Sequence, residues 1–311
     1  MEEKIINKKV VNILTIALSI LFVVYFIGIC IIGDNKQAEY DRIYAEMLES
    51  VNKFNGSLNS GSVGGVTETA PKENPIFDNA KDAVLSAFDN YNSASCYEVF
   101  VEGTTNSSAA GQNVLMKTQI KSYHFSTGEY FQETLQLEKG SNFGQTKGRQ
   151  SYYTNNTRYD REAKSVYETN DGLNANFSGS YEEANPNALK KPTIYEVSKS
   201  TITKQLNFEV VYNPISGRLT NYYASVELNP YLSTVDYAKS IADQGGSSLP
   251  DFKSVTLHII LDSQGNLISM RVEERFTLVK TIVINITADC KNVMNYTINL
   301  NKEPTIEKPN I

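Results

Sequence analysis

From Ile13 to Ile32 the chain runs for twenty residues without a charge, ILTIALSILFVVYFIGICII. As a helix at 1.5 Å per residue this run is about 30 Å long, the thickness of a bilayer core, and it exceeds the ~7–15 apolar residues of a signal peptide. Fourteen of the twenty are Ile, Leu, Phe or Val, and at roughly −0.4 kcal/mol each they favour insertion by an upper bound of about 6 kcal/mol. The pattern predicts a transmembrane anchor over residues 13–33, uncleaved because no small-residue processing site follows. Lys4, Lys8 and Lys9 precede it and Lys36 and Arg42 follow. The positive-inside bias then makes residues 1–12 a cytoplasmic tail and puts the rest outside the cytoplasm, since long domains translocate largely regardless of charge. Cys30 is followed by Ile31 and Ile32 and preceded by Ile29 rather than a small residue, so it reads as an ordinary membrane cysteine and not a lipidation site.

Beyond the anchor the period becomes helical. Tyr40, Tyr44, Met47, Val51 and Phe54 recur at spacings of four and three, which predicts an amphipathic juxtamembrane helix over 34–55, too short for a coiled-coil assignment. Residues 56–74 are rich in Gly, Ser and Thr and read as a flexible linker. Asn74-Pro75 then resembles a helix start, and Phe77, Ala80, Val84, Ala87, Phe88 and Tyr91 mark one apolar face.

From Cys96 the period falls to two. CYEVFVEGT, NVLMKTQIKSYHF, EYFQETLQLE, GRQSYYTNN and TRYDREAKSVYET are strand candidates separated by turn-forming clusters, and residues 170–192 break the pattern as an irregular insertion. KQLNFEVVYN and NYYASVELNP continue it, and LSTVDYAKSIADQ has helical spacing. Val255, Leu257, Ile259 and Leu261 share a face, and after the DSQGN turn Ile268, Met270, Val272, Phe276 and Leu278 do the same. Ile282, Ile284 and Ile286, then Met294, Tyr296 and Ile298, predict two more strands. The fold class expected is mainly β (α+β), an antiparallel curved sheet or half-barrel over residues 75–300 with one or two covering helices, followed by a disordered tail, 301–311.

The opening FDNAKDAVLSAFDNYNSASCYEVFVEG and the later LPDFKSVTLHIILDSQGNLISMRVEERFTL resemble the LolA-like half-barrel superfamily, which includes bacterial lipoprotein carriers, LppX/LprG-type lipoproteins and the N-terminal domain of RseB-type regulators. The resemblance is one of pattern over Pro75 to Leu300. It implies an apolar, helix-covered cavity for acyl chains. Phe88, Tyr91, Phe131 and Phe208 are the candidate lining residues, with a pocket of at least about 300 Å³ expected between helix and sheet.

Composition narrows the function further. The 311 residues carry a net charge of −6 and no basic cluster, which argues against a nucleic-acid partner. Outside the anchor the cysteines are Cys96 and Cys290, which either form a disulfide tying the start of the domain to its end or remain two free thiols. No nucleophile elbow, zinc-protease motif, paired-cysteine motif or P-loop is present, so no catalytic residue, metal site or cofactor is assigned. His124 and His258 each lie within a predicted strand, and Glu274 interrupts an apolar series, at a strand end, a bulge or the mouth of a cavity. Asp262 and Glu273 fit solvated strand faces better than a glycosidase pair. The expected protein is a single-pass membrane-anchored module of the bacterial envelope, not an enzyme, that binds a lipid or other hydrophobic ligand. The alternative is a sensory or scaffold ectodomain that binds another envelope protein, and an envelope hydrolase ranks last.

Overall fold

The computed structural model describes residues 35–53, 74–109, 111–140, 146–184, 195–243, 248–281, 285–309 and 311. The anchor over 13–33, the 1–12 tail and residues 56–73 of the linker lie outside these. Among the described residues no helix is long and apolar enough to cross a membrane. The chain forms two compact units, Met1–Glu46 and Met47–Ile311. In the first, residues 35–46 begin helix α1 (residues 35–53), whose exposed side carries an Arg42–Glu46 pair at 2.6 Å, one turn apart.

The second unit contains residues 47–53 of α1, about its last two turns, helices α2 (Ala80–Ser93) and α3 (Val235–Asp243), and, among the described residues, thirteen strands. In chain order the strands are β1 (Tyr97–Ala109), β2 (Gln112–His124), β3 (Tyr130–Lys139), β4 (Lys147–Thr154), β5 (Thr157–Glu162), β6 (Ser165–Thr169), β7 (Gly172–Asn176), β8 (Glu182–Glu183), β9 (Ile202–Tyr212), β10 (Leu219–Leu228), β11 (Asp251–Asp262), β12 (Leu267–Thr281) and β13 (Asn285–Leu300). Eleven of them make one sheet in the order β8-β5-β4-β3-β2-β1-β13-β12-β11-β10-β9, and β6 and β7 form a separate hairpin. All adjacent pairs are antiparallel, so two meanders meet where the first strand pairs with the last, from Tyr97↔Leu300 to Ser108↔Asp289.

Period-two alternation places one side of this sheet against α2. Phe208, Ala224, Ile259, Met270, Tyr296 and Val101 stand in one row across six strands on that side, and α2 packs on β9, β10 and β12. At the β1–β13 junction the strands approach closely: a Cβ added at Gly103 would lie 2.2 Å from the Val293 carbonyl oxygen. The β4–β5 hairpin turns on Asn155 and Asn156, both at positive φ (49° and 63°), the conformation a two-residue type I′ turn requires.

Four expectations are corrected. TRYDREAKSVYET is two strands, β5 and β6, in different sheets, because the chain leaves the large sheet at Ala163, whose N–H donates to the Gly148 carbonyl at 2.8 Å. The irregular insertion contains β7 and β8. Ile282 and Ile284 lie outside the described residues, and Ile286 and Met294 to Ile298 belong to one strand, β13, which pairs with β12 from Asn285 to Thr297. The tail from residue 301, expected to be disordered, is tied to the β2–β3 turn: Ser126 N–H donates to Glu303 at 3.2 Å, and Lys308 pairs with Glu129 and sits 4.6 Å over the Phe125 ring.

Candidate functional site

The helix–sheet seam is where the sequence pointed. Helix α2 begins at Ala80 rather than Pro75; Asn79 caps it by accepting from the Asp82 N–H at 3.0 Å. Upstream of the cap, Ile76 N–H donates to the Tyr222 hydroxyl at 2.8 Å and Phe77 meets the same ring edge-on. Its buried face is Ala80, Ala83, Val84, Ala87, Phe88 and Tyr91. Three alanines on that face let the helix axis come close to the sheet, and the large side chains of the sheet fill what remains. The cavity that Phe88 and Tyr91 line with Leu267, Met270, Tyr296 and Ile298 holds only about 10 Å³, not the 300 Å³ or more expected. Phe208 is on the same side, stacked on Tyr222 with ring centroids 6.3 Å apart. Phe131 is not: it stacks on Tyr123, and the pairing of Tyr123 with Glu98 puts both on the opposite side from Tyr97 and Val99.

Next to the seam, Tyr91, Tyr97, His124, Tyr130 and Tyr153 form a run of neighbouring rings across β1 to β4, with successive centroids 5.0, 4.1, 5.5 and 5.4 Å apart. Burial pushes the Tyr91 hydroxyl up to about 12 and raises that of Tyr97 further. These rings are core, with Tyr97, His124 and Tyr130 all buried.

The polar residues that the sequence singled out are dispersed. Glu274 stays on the helix-facing side at 2% exposure, within β12 and not at its end. Asn292 Nδ2 donates to it at 2.7 Å and Thr105 donates to Asn292 at 2.9 Å. Burial pushes the Glu274 carboxyl up to about 8. His258 lies on the other side of the sheet, where its Nδ1 meets Ser225 Oγ at 2.7 Å and the Tyr223 hydroxyl at 3.0 Å, and burial pulls its pKa down to about 4. That side is not simply solvated: Tyr223, Ser225 and Ile260 are fully buried, and Lys53 at the end of α1 lies 3.8 Å from Glu102 there. With His124 and His258 on opposite sides of the sheet, they cannot share a metal ion, and among the described residues no cluster of three or more metal-ligating side chains occurs. Asp262 accepts from Gln264 and Asn266 N–H groups in the β11–β12 turn, while Glu273 pairs with Arg271 at 2.8 Å.

Of the two readings of the cysteines the structure has the free thiols: Cys96 and Cys290 are both free and buried. Cys96 sits just before β1, whereas Cys290 is opposite Ser107, whose Oγ is 3.3 Å from the Cys290 sulfur. Eleven residues of strand separate the two positions, roughly 35 Å at 3.3 Å per residue, against the 7 Å limit for a bridge.

A larger opening lies at the edge of the sheet. Strand β8 pairs with β5 at Tyr159↔Glu183 and Asp160↔Glu182, and Ala184 N–H donates to the Arg158 carbonyl at 2.8 Å; past Asp160 and Glu182 the pairing of the two chains ends. The wedge between them is an open cleft of about 430 Å³ lined by Asp160, Arg161, Glu162, Gly179, Ser180, Glu182, Glu183 and Ala184. Arg161 donates to Gln150 at 3.1 Å and stacks over Tyr181 and Phe177, at 4.6 and 5.4 Å from the ring centroids. Asp160 is held by Arg158 and Glu162 by Arg149, at 2.8 and 2.7 Å. Glu182 and Glu183 are exposed, and no cation among the described residues pairs with either. Nothing in the sequence marked this cleft, because β8 is two residues long and has no period.

No family model matches the chain, and no curated protein matches it. Among solved structures it is similar to a DUF1329 family protein from Desulfovibrio piger, with 8% identity, 72% of this chain and 94% of that one covered, and a TM-score of 0.22. It is similar also to the MucA/MucB complex structure of Pseudomonas aeruginosa, with 10% identity, coverage of 68% and 93%, and a TM-score of 0.13. Scores this low carry no argument about fold or function. The mainly β, antiparallel class rests on the strand order itself.

Proposed function

We propose that this chain is a membrane-anchored, extracytoplasmic binding module of the envelope, without catalytic machinery, whose ligand is another protein held at the β5–β8 cleft. The observation that carries this reading is the contrast of two volumes, about 10 Å³ in the apolar seam and about 430 Å³ in the polar cleft. An acyl chain needs a deep apolar site, and the seam would have to part its helix from its sheet to provide one. A polar cleft at a sheet edge suits the backbone and charged side chains of a polypeptide. The uncharged run from Ile13 to Ile32 and the lysines before it support the anchor and its orientation.

The test is photo-crosslinking in intact cells with the full chain, carrying a benzophenone amino acid in place of Ser180. Illumination is expected to give discrete adducts with another protein. Absence of any protein adduct from this position, together with a saturable stoichiometric fatty-acid probe bound by the purified chain, would return the function to hydrophobic-ligand binding.

A further inference from the structure

The turn that leads from β10 into α3 has its polarity reversed. Ser233 and Thr234 are buried, whereas Tyr231, Leu232 and Val235 are exposed at 68%, 48% and 46%. Buried polar groups and exposed apolar clusters are the departures from an ordinary surface that carry information, and here five consecutive residues supply both. The turn is tightly built. Asn229 Oδ1 accepts from the Tyr231 and Leu232 N–H groups at 3.0 and 3.1 Å, Ser233 Oγ donates to the Asn229 carbonyl at 2.7 Å, and Thr234 Oγ1 donates to the Pro230 carbonyl at 2.5 Å. The Asn229 N–H donates to the Thr201 carbonyl at 2.7 Å and the Glu196 N–H to the Ser233 carbonyl at 2.9 Å, which ties the turn to the chain before β9. The two hydroxyls are buried because they complete the turn, and the completed turn holds the three apolar side chains outward.

Tyr237, two residues after Val235, packs on Phe252 of β11 with ring centroids 5.7 Å apart, so the cluster lies near the start of β11, where Leu249 is exposed as well. The charges here are paired with one another, Lys239 with Asp236 at 3.0 Å and Lys253 with Asp251. The other large apolar residues exposed among the described ones, Ile76, Tyr167, Ile215 and Ile311, lie singly along the chain. A clustered apolar surface with a polar margin marks an interaction site.

The tether of the chain says what covers it. Met47 belongs to the unit that carries the sheet and is fifteen residues past Ile32, the end of the uncharged run. Fifteen residues span at most about 50 Å even when fully extended. In an anchored chain the bilayer surface is always within that distance of Met47, whatever the orientation of the domain. Tyrosine beside aliphatic side chains is also the composition that the membrane–water boundary favours.

We infer that the turn at Tyr231, Leu232 and Val235 inserts into the lipid interface of the membrane that anchors the chain; this rests on the membrane-anchor reading above. The domain is then held at two points, by the spanning run and by apolar side chains seated at the boundary between headgroups and acyl chains.

The chain contains no tryptophan, so a single introduced indole reports alone. Full-length chains carrying Leu232→Trp, Tyr167→Trp or Tyr25→Trp are reconstituted into phosphatidylcholine vesicles with and without bromine on the acyl chains. An indole about 5–10 Å into the interface is within reach of the bromines, so emission from position 232 is expected to shift to the blue and to fall about twofold in brominated vesicles. Position 25, inside the uncharged run, is expected to be quenched, and position 167, an exposed tyrosine on β6, is expected not to be. Adding Tyr231→Asp and Val235→Asp to the Leu232→Trp chain is expected to abolish the quenching at 232; all three side chains are exposed, so the core is untouched. Quenching at 25 without quenching at 232 overturns the inference, leaves the anchor intact and gives the cluster to a protein partner. Absence of quenching at both overturns the inference together with the anchor reading. Quenching at 232 that survives the two aspartates, or that position 167 matches, overturns it too, because the proximity to lipid would not come from insertion of this turn.

Discussion

The Asn292 side chain donates to Glu274 at 2.7 Å, yet the other carboxylate oxygen of Glu274 is buried without a hydrogen-bond partner among the described residues. The two residues face each other across the β12–β13 pair, on the helix-facing side, with Val272 and Phe276 as neighbours along the strand. A carboxylate in that position is unfavourable unless it holds a proton, which is why burial pushes its pKa up to about 8 from an ordinary 4.5.

The pH dependence of stability follows. Between about 4.5 and about 8 the folded chain keeps a proton on Glu274 that the unfolded chain has released. Its contribution is complete below pH 4.5, is lost as pH rises through 8 and then levels off, by an upper bound of about 4–5 kcal/mol. Glu274→Gln, neutral and of the same shape, is expected to remove this decline. Denaturant unfolding of both chains at pH 5 and pH 9 measures it; equal slopes for the two proteins would place the titration elsewhere.

Free, separated cysteines make a second expectation. Without reductant, Cys96 and Cys290 should resist alkylation in the native chain, where both are buried, and both should react once the chain is denatured. Peptide mapping reads this directly, and a Cys96–Cys290 linked peptide would contradict the register between β1 and β13.

Alternation made the long strands and their sides legible. His258 follows Leu257 and precedes Ile259, so a period of two sends it to the other side of the sheet, where the structure has it beside Ser225. What alternation cannot show is which strands meet. The Glu274–Asn292–Thr105 row exists only because β13 returns to lie between β12 and β1, a long-range pairing with no local signal. Nor does an apolar stripe distinguish a hollow seam from a filled one. Ala83 and Ala87 lower the helix onto the sheet, but the same stripe would suit a cavity wall. The start of α2 shifted to Ala80 because Asn79, like Asn74, can cap, and the sequence offers both.

Gly103 tests the β1–β13 junction. A methyl group there would lie 2.2 Å from the Val293 carbonyl oxygen and 2.5 Å from the Met294 sulfur. A flexible side chain can move, but a backbone carbonyl inside a ladder cannot without breaking pairs. Gly103→Ala is therefore expected to destabilise the domain by about 3 kcal/mol, and Met294→Ala in the same chain should not restore it. Full rescue by the second substitution would show that only the Met294 side chain stood in the way.

Phe88 tests whether the seam is packing or pocket. It is 2% exposed, on the face of α2 that meets Leu267, Met270 and Ile298, around a space of about 10 Å³. In a filled seam, truncation leaves a void that the sheet cannot collapse into, because its strands are fixed by ladders on both sides. Phe88→Ala should then cost about 3–5 kcal/mol of stability. In a seam that opens for a ligand, the same truncation would reduce stability little and weaken binding of a fatty-acid probe instead. Because the alanines at positions 83 and 87 already bring the helix down as far as its backbone allows, the first outcome is expected in chemical denaturation of the full chain. The second would restore the carrier reading.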